Sequence, residues 1–299
     1  MTSSSTSSTP AGSFLTETGE TAARKPPVKS ASSPRTALWL RALVLAVYAF
    51  LYGPILVLVL LSFNRSRLST HWAGFSLMWY HVLAHDQEVL RSVVYSLEVS
   101  LGATAIATLV GTCAALALAR PKAPARALTL GMLYLPIIIP EIVIGCALLT
   151  FFSAVQWELS LWTVMAAHVA FSVPYVAVVV RARLAGFDAS LEEAAMDLGA
   201  GPIGTFWRVK WPLMLPGVVA AALLVFTVSI DDYVITSFVA GTDSTTLPLR
   251  IASMVKTGLT PEVNAVSTLL LVVTVILVVS AQWILSGEDR RKQKKAGES

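Results

Sequence analysis

Five ionisable residues sit inside long apolar runs of this sequence: Glu98, Glu141, His168, Asp231 and Asp232. Ionisable groups are expensive in hydrocarbon, so at such positions they mark a pathway, a relay or a binding site by default. The four carboxylates have no evident basic partner within the runs. Unpaired acids of this kind suit a hydrated path for cations. Each also has a plainer role, and the residues alone leave both open. Glu98 can sit at the membrane interface or reach toward Arg91. Glu141 follows Pro140 and can bond backbone donors freed by the proline. Asp231 and Asp232 are adjacent, face different directions on a helix and can cap a broken helix end. His168 fits an interhelical hydrogen bond better than a ligand role.

Other chemistry finds no support. There is no nucleophile–base pair, so no catalytic residue is expected. The histidines 71, 81, 85 and 168 form no ligand cluster with Cys113 and Cys146, so no metal is expected. The two cysteines read as small buried hydrophobes. The phosphate-cradling pattern G-x-x-x-x-G-K-[ST] is absent, so no nucleotide is expected on this chain.

The elements that must position these groups follow from composition. Of 299 residues, 55% are hydrophobic and 13% charged, and the mean hydropathy is +0.70. Soluble domains carry about 25% charged residues, so the chain reads as an integral membrane protein. The net charge of +4 is no sign of nucleic acid, because the basic residues flank apolar runs. A transmembrane barrel would show short alternating segments. Here the runs are long enough to cross a bilayer as helices, which predicts an all-α fold of six transmembrane helices. They are placed near 39–63, 92–119, 127–153, 159–181, 213–239 and 265–286. Residues 1–37 form a Ser/Thr/Pro/Lys-rich tail, expected to be disordered, with no signal-peptide pattern. Residues 38–287 form the six-span domain, and 288–299 a basic tail. Pro136 and Pro140, in LPIIIPEIVIG, predict a kink or break in the third span. Such breaks persist only where protein or a wet cavity satisfies the freed backbone groups.

Orientation follows from lysine and arginine. One side holds Arg24, Lys25, Lys29, Arg35, Arg41, Arg120, Lys122, Arg126, Arg181, Arg183, Arg208, Lys210, Arg290, Arg291, Lys292, Lys294 and Lys295. The other holds only Arg65, Arg67, Arg91, Arg250 and Lys256. Both termini and the 181–212 loop are therefore expected in the cytoplasm, with loops 64–91 and 240–264 outside. At about 1.5 Å of rise per residue, Glu98, Glu141, Asp231 and Asp232 all fall in the outer half of the membrane. Trp72, Trp79 and Tyr80 read as an outer interfacial belt or a docking surface rather than a cation cage.

Between the fourth and fifth spans lies LEEAAMDLGAGPIGTFWRVKWP (191–212). Ser190 and Glu193 fit a capping box, and Gly199 a left-handed helix end. Pro202 suits the first position of a second short helix running to about Lys210, where Pro212 stops it. Ala194, Ala195 and Gly199 present a nearly bare surface, while Phe206, Trp207 and Trp211 offer bulky knobs. An amphipathic unit lying on lipid is the simpler reading of the spacing.

The particular residues point further. Glu193-Ala194-Ala195, then Gly199, then Val209, Trp211 and Pro212, resemble the EAA loop of permease subunits of ATP-binding-cassette importers; Trp211 stands where that family usually has Leu. SIDDYVITSFVAG (229–241), TTLPLRIASMVKTGLTPEVNAVSTLL (245–270) and SFNRSRLSTHWAGFSLMWY (62–80) resemble the spermidine/putrescine subfamily, the last leaning toward putrescine. The resemblance implies a type I importer permease (MetI-like) fold in a bacterial inner membrane, with residues 190–212 as a coupling helix. It implies four kinds of partner: a cytoplasmic ATPase dimer that uses ATP and magnesium, a second homologous permease, an external polyamine-binding protein (periplasmic or lipid-anchored) and membrane lipid. It places Glu193, Ala194, Ala195, Gly199, Phe206 and Pro212 on the coupling face, and Asp231 and Asp232 in the subfamily's acidic pair. Glu141 and Glu98 join that pair as pathway acids on chemistry alone.

Two rivals stand beside this reading. One is an importer for thiamine, an anion or ferric ion; four outer-half acids argue against an anion. The other is a proton-coupled secondary transporter, whose inverted repeats have no counterpart here and in which the 190–212 unit has no task.

Overall fold

The computed structural model describes the backbone of residues 34–66, 71–119, 126–188, 190–258 and 260–296. Side chains are described from Leu38 to Ser280, apart from 67–70, 120–127, 189 and 259. The tail expected over 1–37 lies outside the described residues up to position 33. The chain divides into two compact units, residues 1–51 and 52–299. The described part of the first unit is helical, and its helix α1 (Pro34–Ser62) ends in the second.

The second unit is all-helical among its described residues. In order come α2 (Met78–Leu83), α3 (Gln87–Ala119), α4 (Arg126–Ile138), α5 (Glu141–Ala154) and α6 (Leu161–Ala185). Then follow α7 (Ser190–Asp197), α8 (Pro202–Thr205), a π-helical turn (Phe206–Lys210), α9 (Trp211–Ile230), α10 (Val234–Val239), α11 (Leu247–Thr257) and α12 (Pro261–Ala296). Among the described residues, five helices are long and apolar enough to cross a membrane, and six if α4 and α5, bent by 109°, count as one. The backbone of α12 stays helical through the basic residues expected to form a tail.

The core is built on α3, which packs against α6 and α9. Val99, Ala103, Ala107, Gly111 and Ala115 recur every four residues on its buried face. Membrane helices approach closely through such small-residue stripes because lipid offers no hydrophobic drive to hold them together. A Cβ on Gly111 would lie 2.6 Å from Cβ of Val176 on α6, so only glycine permits this approach. Val176, Val180, Met214, Val218, Ala221 and Val225 complete that core.

Two departures from the expected spans matter for function. The third apolar run breaks at Ile139–Pro140, as the prolines predict. Pro140 is extended (φ −56°, ψ 136°), and its carbonyl accepts the first bonds of α5 from Val143 and Ile144. The fifth run, placed over 213–239, ends at Ile230, and α10 starts afresh at Val234. Side-chain capping by Asp232 explains that break, since it offers the backbone an alternative to the helical ladder. At the other end, Pro212 does not stop the helix begun at Pro202, which runs on to Ile230 with only the π turn intervening. A π turn absorbs an extra residue; lying directly before Pro212, it accommodates the missing proline donor.

Candidate functional site

Two features bring the predicted residues into geometry: a meeting of helix breaks in the apolar region, and a capped hairpin outside it.

At the first, Asp232 is buried and caps α10. Its carboxylate accepts the backbone N–H of Thr236 (2.9 Å) and of Ile235 (3.3 Å) and the hydroxyl of Thr236 (2.8 Å). His168 Nε2 lies 3.3 Å from the same carboxylate and 3.0 Å from Thr236 Oγ1. Nδ1 of His168 lies 2.7 Å from the Ser229 hydroxyl. Asp232 is acceptor-only, which assigns a ring proton to Nε2. Both ring nitrogens and the buried carboxylate are thus partnered. His168 thus links three helices, and Asp232 serves the capping role that the sequence left open.

Asp231, the C-terminal cap of α9, is exposed and close enough to Glu141 for the two charges to repel. Glu141 opens α5 and is also exposed, with no side-chain bond to the freed backbone donors. Packing of α10 on α5 brings these ends together. A Cβ on Gly145 would lie 2.6 Å from the Phe238 ring, so glycine sets that distance. Glu98 stands apart: it lies on the exposed face of α3, with no ion pair or hydrogen bond among the described residues. Arg91, its suggested partner, instead donates to the Tyr95 hydroxyl (2.9 Å) and lies over the Tyr95 ring. The expected convergence of four acids is thus reduced: Glu141 and Asp231 are both exposed at the ends of packed helices, Asp232 is turned inward and Glu98 lies elsewhere.

The outer aromatics do not form a common belt. Trp79 is buried and donates to the Asn64 carbonyl (2.7 Å), and the Tyr80 hydroxyl meets Ser62 Oγ (2.7 Å). Trp72 alone of the three is strongly exposed. Cys113 and Cys146 are exposed rather than buried, because both lie on helix faces turned away from the core.

The hairpin is held by backbone caps. Ala200 N–H bonds the Ala195 carbonyl (3.0 Å) and Gly199 N–H the Met196 carbonyl (2.9 Å). This pairing is the Schellman end, which requires a left-handed residue, and Gly199 has φ +87°. Pro202 opens α8 as expected. The start differs from expectation: Asp188, not a Ser190–Glu193 box, provides the cap, its carboxylate accepting the Ser190 N–H at 3.0 Å. Those bonds from the Ser190 backbone and side chain hold the Asp188 carboxyl below its ordinary value. Glu193 is thereby left free on the exposed face beside Ala194 and Gly199, with Ala195 half-buried.

A contact that sequence reading missed closes the hairpin. Glu192 on α7 pairs with Lys210 at the end of the π turn, 2.5 Å apart. Opposite charges eighteen positions apart give no periodic signal, so only the turn at Gly199–Gly201 reveals them as neighbours. Phe206, Trp207 and Trp211 stack beside the pair, with ring centroids 5.4–6.3 Å apart. Met196, Ile203, Phe206 and Trp207 line an open groove of about 590 Å³ with Glu192 and Lys210. Leu198 is 90% exposed at the tip. Both partners of the ion pair are partly exposed, which limits its worth to about 0–1 kcal/mol. Glu192→Lys and Lys210→Glu are each expected to loosen the hairpin, and the double exchange to restore it. Amide exchange over α7 checks this: protection should fall in both single variants and return in the double one.

Comparison with known proteins agrees with this architecture. Residues 107–294 match the family described as "Binding-protein-dependent transport system inner membrane component". The spermidine/putrescine transport system permease protein PotC of Haemophilus influenzae is 43% identical over 243 residues, covering 81% of this chain and 95% of that protein. The putrescine transport system permease protein PotI of Escherichia coli strain K12 is 38% identical over 261 residues, 85% of this chain and 93% of its own length. Among solved structures, a bacterial ABC transporter involved in import of the acidic polysaccharide alginate superposes with a TM-score of 0.64 at 15% identity, covering 84% of this chain and 97% of that one. The MetNI methionine ABC transporter, in an inward-facing conformation, gives 0.54 at 19% identity over 68% and 98% of the two chains. The fold is therefore that of the importer permeases, and the chain is a multi-pass inner-membrane transport subunit rather than an enzyme. It belongs to the family of binding-protein-dependent transport system inner membrane components.

Proposed function

We propose that this chain is one half of the pore of an ATP-driven importer for polyamines, putrescine or spermidine. The pairing of Glu141 with Asp231 carries the substrate reading. Two exposed carboxylates held together at helix breaks attract a flexible dication, and they lack the closed ligand shell that would trap it. Conduction needs such sites to be weak enough to leave. Asp232 supports the pair from behind. Glu98, on another face of α3, attracts cations in the outer half without joining that site. The names of relatives about 40% identical support the same substrate class.

Energy comes from outside the chain. In this reading, a cytoplasmic ATPase dimer binds ATP and magnesium, and its groove receives the tip formed by Glu193, Ala194, Ala195, Gly199, Phe206 and Pro212. A second, homologous permease completes the pore, and an external polyamine-binding protein delivers substrate. The excess of lysine and arginine on the hairpin side puts both termini and the hairpin in the cytoplasm. Residues 38–287 form the transporting domain, with the basic end, 288–299, on the cytoplasmic side.

Uptake of labelled putrescine into cells expressing the whole system tests this function. Uptake is expected to stop on ATP depletion, to persist with an uncoupler, and to be competed by spermidine. Loss with the uncoupler alone would indicate a proton-coupled carrier, and competition by thiamine but not by polyamines would indicate another solute.

A further inference from the structure

Asp231 and Asp232 are chemically equivalent neighbours, yet one is exposed and the other is buried in a cap. Something must decide which carboxylate takes which place. If Asp231 turned inward, Asp232 would replace it with altered reach. If neither did, three carboxylates would crowd one site. Among the described residues, the only group outside the α9–α10 segment that bonds Asp232 is His168 on α6.

His168 is 1% exposed. Phe171 packs edge-on against its ring at 5.4 Å, and Val164 and Ala167 of the same helix are wholly buried. Among the described residues, the ring's hydrogen bonds go only to Ser229, Asp232 and Thr236. Its two nitrogens grip opposite sides of the break: Nδ1 meets Ser229 in the last turn of α9, and Nε2 meets Asp232 and Thr236 at the start of α10. A second consequence comes from chain connectivity. The chain enters the hairpin from α6 and leaves it through the helix Pro202–Ile230. His168 therefore joins those two helices at the ends remote from the hairpin. The wall between α6 and α10 is fixed nearby as well, where the Thr163 hydroxyl donates to the Val239 carbonyl (2.8 Å).

We propose that His168 is a positioning residue for transport, holding Asp232 in the cap of α10 so that Asp231 is the carboxylate facing Glu141. It touches no substrate. It acts through Asp231, and it ties that acid's placement to the two helices that the hairpin moves. This role rests on the proposed cation path.

The test uses the complete transporter in proteoliposomes, with its ATPase, second permease and binding protein, and putrescine as the probe. Uptake is measured per assembled complex at saturating loaded binding protein, with ATP hydrolysis recorded alongside. His168→Phe fills the site but offers no hydrogen bond. It is expected to lower uptake per complex at least about tenfold, with hydrolysis within about twofold of the parent. His168→Gln, which keeps a donor toward Asp232, is expected to recover part of the loss. A residue that only stabilised the fold would reduce the amount of complex and leave uptake per complex unchanged. In an Asp231→Asn background, His168→Phe should lower uptake by less than about twofold more, because groups acting through one another are not additive.

Full multiplication of the two losses, or normal uptake per complex in His168→Phe, would overturn the positioning role and leave the path standing. Normal uptake in Asp231→Asn alone would overturn the path and this inference with it. Should His168→Phe fail to assemble, His168→Asn, too short to span Ser229 and Asp232, enters the same cycle under the same criterion.

Discussion

Gly199→Trp is expected to abolish uptake while the chain still inserts at the parent level. Gly199 holds φ +87°, which closes the paired bonds from Gly199 and Ala200 to Met196 and Ala195. A side chain in that conformation costs roughly 1–2 kcal/mol. A Cβ at Gly199 meets nothing within 4 Å, so the substitution has no steric conflict within this chain beyond that local strain. A bulky ring there is felt chiefly by whatever docks on the tip. Gly199→Ala separates the two effects, since it carries the backbone strain without the bulk, and it should retain a substantial part of uptake. Glu193→Lys probes the same face through charge and is expected to uncouple as well, with the six-span domain intact. Membrane levels measured beside uptake check all three. Equal loss in Gly199→Ala and Gly199→Trp would assign the defect to the helix end rather than to the docked surface.

The second large effect concerns the acids. Asp231→Asn with Glu141→Gln is expected to reduce polyamine uptake by at least about a hundredfold, with the ATPase still assembled. At an effective dielectric near 20, a charge pair at 4 Å is worth about 4 kcal/mol, and 1.4 kcal/mol is tenfold. A site of two carboxylates facing a dication thus has ample energy for a tenfold loss per acid. Asp232→Asn is expected to fail differently. It weakens a buried cap bonded to Thr236, Ile235 and His168, so reduced assembly should accompany reduced uptake. Glu98→Gln should do least, because nothing brings that side chain to the pair. Uptake and complex yield, measured separately for the three variants, distinguish a path acid from a structural one.

Much of this was legible from residue type and spacing. Apolar runs located the helices, Pro140 located the break in the third, and Gly199 with Pro202 located both sides of the hairpin turn. These signals are local: each depends on one residue's backbone freedom or on a run of transfer free energies. The roles of the acids were not legible. Asp231 and Asp232 are identical in type and adjacent in sequence, and their assignments depend on His168, more than sixty residues away on another helix. The cap spacing from Asp232 to Ile235 and Thr236 was a usable clue to the break at 231–233, but the continuous hydropathy of the run concealed it. Pro212 misled for a related reason. Proline usually ends a helix by removing a donor, whereas here the adjoining π turn accommodates the loss and the helix continues.

The central claim is that a separate ATPase grips the hairpin. Site-specific cross-linking from Leu198→Cys, in a chain whose Cys113 and Cys146 have been replaced, tests it most directly. Leu198 is the most exposed large apolar residue described and sits one position before the glycine turn. A linker to single cysteines placed around the groove of the ATPase should give one dominant adduct in the assembled transporter, with a yield that changes on ATP addition. Labelling of Leu198→Cys only by lipid-soluble reagents, or free reaction with water-soluble ones throughout turnover, would contradict the account.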